Sequence, residues 1–187
     1  MIRDSNDPLE LEEAPKSGRL RDFSTQLAQR LRAAPTRTSE PARLAVRLAD
    51  IGYLLDLNTT GEIVSLPEIA PVPWTKSWFR GLANVRGRLV GVIDLMQLSG
   101  RPAMTPEQSL QLVVLGDALK VNAAIIVTRA FGLRNLKDLQ PLGDAPDAPD
   151  APRPWERERF RETDGTTLIE LDLRRLVASE QFSAIGI

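Results

Sequence analysis

The spacing of hydrophobic positions changes character along the chain, and each change predicts a different element. Leu20, Phe23, Leu27 and Leu31 recur by three, four and four, with Ala28 beside them and arginines opposite, which predicts a short amphipathic helix. Ser17 or Asp22 is placed to cap its start, and Pro35 and Pro41 stop it. Such a helix packs on the body in the simpler expectation and serves as a separate partner-binding helix in the alternative. From Arg43 the period falls to two. Leu44, Val46 and Leu48 alternate with Ala45, Arg47 and Ala49, predicting a strand with one buried face. Asp50-Ile51-Gly52 reads as a turn, and residues 53–57 return as the second strand of a hairpin. Residues 62–66 give a shorter apolar piece ended by Pro67; a loop with Pro71, Pro73 and Trp74 follows, then an extended piece at 79–85. Leu89, Gly91, Ile93 and Leu95 share one face of the next strand and Val90 and Val92 the other, the mark of a strand buried on both sides.

Residues 100–108 form a proline-containing connection, and 110–115 and 123–128 read as two more apolar strands separated by a Gly116-Asp117 turn. Residues 132–139 mix Leu133, Leu136 and Leu139 with charges, as a bent strand or short turn does. The run GDAPDAPDAPRP at 143–154 repeats an Asp-Ala-Pro unit that lacks backbone donors and favours extended chain, so it reads as a flexible exposed loop and matches no ligand pattern. Residues 155–161 alternate, Asp164-Gly165 offers a two-residue hairpin turn into 167–171, and Asp172 is placed to cap a final helix with Leu173, Leu176 and Val177 inward. Phe182, Ile185 and Ile187 are expected to pack back on the body. The reading gives about nine short strands and two helices with frequent Gly and Pro punctuation, which favours barrels or sandwiches over a parallel sheet.

Composition narrows the chemistry. The chain has 187 residues and a 42% hydrophobic share, enough for one cored domain over 19–187, with an acidic, proline-containing segment at 1–18 expected to be disordered. A net charge of -1 argues against a nucleic-acid footprint, which needs a basic excess to neutralise phosphates. Cysteine is absent, which removes disulfides and thiolate metal sites; histidine is absent too, which removes the commonest general base and metal ligand. No apolar run approaches the about 20 residues of a membrane span, and the acidic start does not resemble a secretion signal, so a cytoplasmic location is expected.

Residues 74–95, WTKSWFRGLANVRGRLVGVIDL, carry the most specific signal. A hydrophobe-Gly, then Asn-hydrophobe-Arg-Gly, then a strand ending Ile-Asp-Leu resembles the CheW family of adaptors, which couple chemoreceptors to a histidine kinase. Gly81, Asn84, Arg86, Gly87 and Ile93-Asp94-Leu95 match that motif, Glu62-Ile63 falls on the family's short Glu-Ile element, and the likeness covers about residues 43–177. It implies a mainly β fold of two small five-stranded β-barrels around a shared core, here with an N-terminal and a C-terminal helix. One departure is clear: Thr128 stands where the family usually has Asp, and Ala124 replaces a glycine. Within the family the chain is most similar to the PilI-type branch of type IV pilus twitching-motility systems. Val72-Pro73-Trp74-Thr75-Lys76, residues 87–92, Gly132-Leu133-Arg134, residues 169–173 and a closing Phe-x-x-Ile-Gly carry that likeness; ordinary chemotaxis adaptors usually show Pro at the position of Gly91.

The candidates for partner binding are Glu62, Ile63, Trp74, Asn84, Arg86 and Gly87. For Arg86 two readings stand together: its guanidinium faces a groove between the barrels near a receptor-like partner, or it holds its turn by donating to nearby carbonyls. Gly87 reads as a backbone requirement for positive φ, and Asn84 as a side chain bonding its own turn. Trp74 and Trp78 with Phe79 are either interface anchors or a lid over the barrel end. Asp94 and Glu62 as an acid–base pair lack any supporting histidine or metal cluster, and the Gly81, Gly87, Gly91 spacing fits no nucleotide fingerprint.

The resemblance therefore implies a non-enzymatic adaptor without cofactor or metal, bound to a histidine kinase's regulatory domain and to a methyl-accepting chemoreceptor, peripheral to receptor arrays at the inner membrane. The alternatives are a flagellar chemotaxis coupling protein and, further off, a small-barrel nucleic-acid binder, which needs a basic aromatic strand face. An enzyme is the third class, against which the missing residue types speak.

Overall fold

The computed structural model describes residues 42–103, 110–143 and 153–187. Residues 40–187 make one compact unit. The predicted helix at 20–31, the segment 1–18 and the Asp-Ala-Pro repeat at 144–152 lie outside the described residues. Two six-stranded sheets carry the fold. The first is built from both ends of the described chain: β1 (Ala42–Leu48), β2 (Ile51–Asp56), β9 (Arg129–Asn135), β10 (Gln140–Pro141), β11 (Glu156–Arg161) and β12 (Thr167–Leu171), in the order β10-β11-β12-β2-β1-β9. The second takes the middle: β3 (Thr60–Ser65), β4 (Ile69–Ala70), β5 (Phe79–Val85), β6 (Arg88–Ile93), β7 (Gln111–Leu115) and β8 (Ala123–Val127), ordered β3-β7-β8-β6-β5-β4. Neighbours are antiparallel except β12 with β2 and β6 with β8. The expected mainly β fold holds, but in place of two five-stranded barrels there are two six-stranded sheets whose strand orders do not close; the extra strand of each is a two-residue piece, β10 and β4, too short to show a period.

Hydrophobic layers explain why the sheets stay together. Leu44, Val46, Leu48, Tyr53, Leu55, Ile169 and Leu171 on the first sheet join the buried residues of the second in one large core. Ala45, Leu54, Leu139, Phe160 and Leu168 form a smaller core on the opposite face of the first sheet, with Phe131 and Leu136 packed against it. β1 is therefore covered at Ala45 on its second face as well, although Arg47 on that face stays exposed: Ala45 is small enough to pass for a solvent-facing residue in an alternating pattern, yet it is enclosed. β8 is buried throughout, as a central strand flanked on both sides should be.

Local details differ from expectation where a turn or cap outcompetes the period. The β1–β2 turn is Ala49-Asp50, with Ile51 and Gly52 already in β2. Leu95 does not extend β6: Asp94 accepts from the Gln97 amide at 3.2 Å and starts a short helix, α1 (Leu95–Leu98). The β11–β12 link is wider than a two-residue turn, since Arg161 pairs with Thr167 and Asp164 accepts from the Thr166 amide. Asp172 caps α2 (Leu173–Ala178) as its sequence position predicts, with Leu173 and Leu176 buried, and α3 (Glu180–Ser183) follows. Phe182 and Ile185 pack on the core, whereas Ile187 is exposed.

Candidate functional site

The β5–β6 hairpin displays the central motif. Val85 pairs with Arg88, so Arg86 and Gly87 are the two turn residues, with φ of 51° and 84°. Positive φ at both central positions matches the twist of the flanking strands and normally selects Asn-Gly or Asp-Gly. Gly87 meets that demand without strain and has open space where a Cβ would stand. Arg86 adopts the left-handed region at a cost that Asn or Gly would lessen. Asn84 Oδ1 accepts from the Gly87 amide at 2.8 Å, so Asn84 does bond its own turn.

The Arg86 guanidinium turns toward β3 and lies 3.0 Å from Glu62 Oε2. The oxygen is covered but has no aligned hydrogen bond, so the contact is an ion pair with acceptor capacity unspent. Arg86 makes no bond to turn carbonyls among the described residues. Ile63, next along β3, is exposed, and β3 is an edge strand. The structure thus joins Glu62, Ile63, Asn84, Arg86 and Gly87 in one patch of the second sheet. An outer concavity lined by Pro67, Glu68, Ala70, Leu82, Asn84 and Leu89 adjoins the same hairpin. The exposed Leu89 is a surface residue that the strand pattern had assigned to a buried face.

The buried half of the motif is structural. A Cβ on Gly81 would stand 2.2 Å from the Ala70 carbonyl oxygen at φ of 128°, so Gly is required where β4 lies against β5. Asp94 caps α1 and lies 3.7 Å from Arg80, whereas Glu62 pairs with Arg86. Gly91 donates to the Asn122 carbonyl at 2.9 Å, a bond that proline could not make, and the Phe79 ring fills the space above it.

The aromatic trio divides. Trp78 is buried with Phe79 edge-on at 6.3 Å, while Trp74 is 81% exposed and closes over nothing. Trp74 also has a positive φ of 60°, held because its carbonyl accepts from the Ile187 amide and Thr75 bridges Gly186. The lid reading therefore fails for Trp74, whose ring is exposed, as is Ile187, whose amide donates to the Trp74 carbonyl. It belongs to the loop between β4 and β5.

At the seam between the sheets, Tyr53 donates to Glu156 Oε1 at 2.7 Å, and Arg101 donates to both at 2.9 and 3.0 Å. Burial first, then the Glu156 carboxylate, push the Tyr53 hydroxyl well above the usual phenol range. Periodicity gave no hint of this network, because its members lie far apart in sequence. Thr128, at the family's Asp position, accepts from the Ala49 amide at 3.1 Å and so ties the β1–β2 turn to the end of β8.

These elements define a class: a mainly β protein built on two sheets around a shared core, whose charged side chains among the described residues serve in helix caps, a buried seam and surface ion pairs. The CheW-like domain model matches residues 43–181, and the chain belongs to that family. It is 29% identical over 92 residues to protein PilI of Pseudomonas aeruginosa, a match spanning 49% of this chain and 51% of PilI, about half the relative's length. It is 22% identical over 134 residues to chemotaxis protein CheW of Thermotoga maritima, covering 72% of this chain and 85% of that one. The crystal structure of scaffolding protein TtCheW from Thermoanaerobacter tengcongensis shares the fold, with a TM-score of 0.61 and 21% identity over 76% of this chain and 95% of that one.

Proposed function

We propose that this protein is a non-enzymatic adaptor that couples a chemoreceptor-like protein to the regulatory domain of a histidine kinase, in the pathway controlling type IV pilus twitching motility. One observation carries the reading. Arg86 occupies a strained turn position, is 78% exposed, and pairs with Glu62 on the edge strand β3, where the next residue, Ile63, is exposed. An exposed ion pair contributes little to stability, about 0–1 kcal/mol, so the fold alone gives no reason for the arrangement. A partner would replace solvent around it with aligned donors and acceptors, which is where such a pair gains energy and specificity. Trp74 supplies an aromatic anchor on the β4–β5 loop of the same sheet's chain segment. The protein acts beside receptor arrays at the inner membrane; among the described residues no helix is long and apolar enough to cross a membrane.

The likeness to PilI supports the twitching branch, and the Gly91 amide bond to Asn122 gives a physical reason for one residue of that likeness, because proline could not make it. The longer match to chemotaxis protein CheW favours the second reading, a flagellar coupling protein. Affinity capture from the source cell with the full chain as bait, read by mass spectrometry, separates them. Recovery of a pilus-system kinase and receptor supports the proposal, recovery of a flagellar kinase moves the protein to the second reading, and recovery of neither with Arg86-dependent enrichment of something else overturns both.

A further inference from the structure

On the first sheet, Arg47 of β1 and Arg129 of β9 stand directly opposite each other in an antiparallel pair. Like charges at facing positions destabilise a sheet, and such pairs are normally relieved by a carboxylate nearby. Neither arginine meets a carboxylate among the described residues, although Arg43, Arg86, Arg88, Arg101, Arg134 and Arg157 all do. Both guanidiniums instead lie over one ring, at 5.0 and 5.5 Å from the centroid of Phe131. Phe131 is the extra residue of a β-bulge, since Val46 pairs with Ala130 and Ala45 with Gly132. Its ring packs against the smaller core, which fixes its position. The Thr128 amide donates to the Arg47 carbonyl at 2.8 Å, which ties the residue before Arg129 to β1.

We infer that Arg47, Phe131 and Arg129 form an anion-binding platform whose ligand is an acidic segment of a partner protein. Two guanidiniums held over one aromatic ring present fork-shaped donors already restricted in rotation, so less side-chain freedom is lost when carboxylates bind. The partner engages through side chains, because the outer edge of β9 is already capped: Gln111 Oε1 accepts from the Ala130 amide, and Arg134 donates to the Phe131 and Leu133 carbonyls. The exposed Leu133 on the same strand gives the segment an apolar neighbour. A nucleic acid is the weaker fit, since the chain carries a net charge of -1 and the ring is covered by its arginines rather than free to stack a base. The platform lies on the opposite sheet from Glu62 and Arg86, and the inference stands whether or not the adaptor reading does.

Fluorescence anisotropy of a labelled oligoglutamate peptide, titrated with the full chain at low salt, tests this. The wild type is expected to bind, Arg47→Gln with Arg129→Gln to weaken binding by about tenfold or more, and Lys120→Gln with Arg161→Gln, an equal loss of charge elsewhere, to leave it nearly unchanged. Absence of binding, an equal loss in the control pair, or tighter binding of an oligonucleotide of equal charge overturns the proposal. Arg129→Glu adds a readout independent of affinity. It should raise the Tm by pairing with Arg47 while abolishing peptide binding; a lower Tm would show that the two arginines are kept for stacking alone.

Discussion

Two arginine–carboxylate pairs of nearly equal length do opposite work in this protein. Arg101 and Glu156 lie 3.0 Å apart with side chains 11% and 2% exposed; Arg86 and Glu62 also lie 3.0 Å apart, but at 78% and 33%. The first pair is completed by Tyr53 and joins the α1 end to the first sheet, so every member has a partner inside the seam. The second pair is open to solvent on the Arg86 side and rests on a turn in which Arg86 has a left-handed backbone. Distance alone does not tell what an ion pair is for; burial and the completeness of its hydrogen bonds do.

The comparison predicts a wide spread of effects. Arg101→Met leaves a buried carboxylate with no cation and should cost about 3–5 kcal/mol, read as a denaturation midpoint shift at unchanged slope. A loss below about 1 kcal/mol would place the seam among ordinary surface pairs. Within the motif, Gly81→Ala drives a Cβ into the Ala70 carbonyl and should cost roughly 2–4 kcal/mol, whereas Gly87→Ala meets only backbone strain, about 1 kcal/mol.

The seam also predicts a pH dependence. Tyr53 is the chain's single tyrosine, so tyrosinate absorbance reports it alone. Its proton is held more tightly in the folded state than in the unfolded chain. The contribution is therefore intact below the unfolded value of about 10 and is lost as pH rises beyond it, because only the unfolded chain can release the proton there. Tyrosinate should appear only together with alkaline unfolding. A midpoint near 10 in still-folded protein would mean that the hydroxyl is not enclosed.

The two regions were not equally legible from sequence. The exposed motif is local, so Asn84, Arg86 and Gly87 announced both their turn and their surface position within a few residues. Asp172 was legible for the same reason, since a cap and the apolar positions after it are neighbours. The seam was not: Tyr53, Arg101 and Glu156 meet only through the crossing of the chain from one sheet to the other and back. Ala45 hid a second core because a small residue satisfies an alternating pattern whether or not it is covered. Arg47 and Arg129 looked like ordinary solvent-facing charges until the β1–β9 register set them opposite each other.

The smallest stability effect belongs to the residue with the largest expected effect on binding. Arg86→Ala should lower stability by about 1 kcal/mol or less, since an exposed ion pair contributes little and alanine keeps the Cβ that strains the turn. The direct test sets Arg86→Ala beside Arg101→Ala, measuring Tm and calorimetric affinity for a kinase regulatory domain and for a receptor tip. Arg86→Ala is expected to keep the wild-type Tm and to lose about 10- to 150-fold in affinity for at least one partner, the worth of a charge-assisted hydrogen bond. Arg101→Ala is expected to lower the Tm strongly while the molecules still folded bind as before. A large fall in Tm for Arg86→Ala with unchanged affinity per folded molecule, or no change in either quantity, would contradict the assignment of the exposed pair to partner binding.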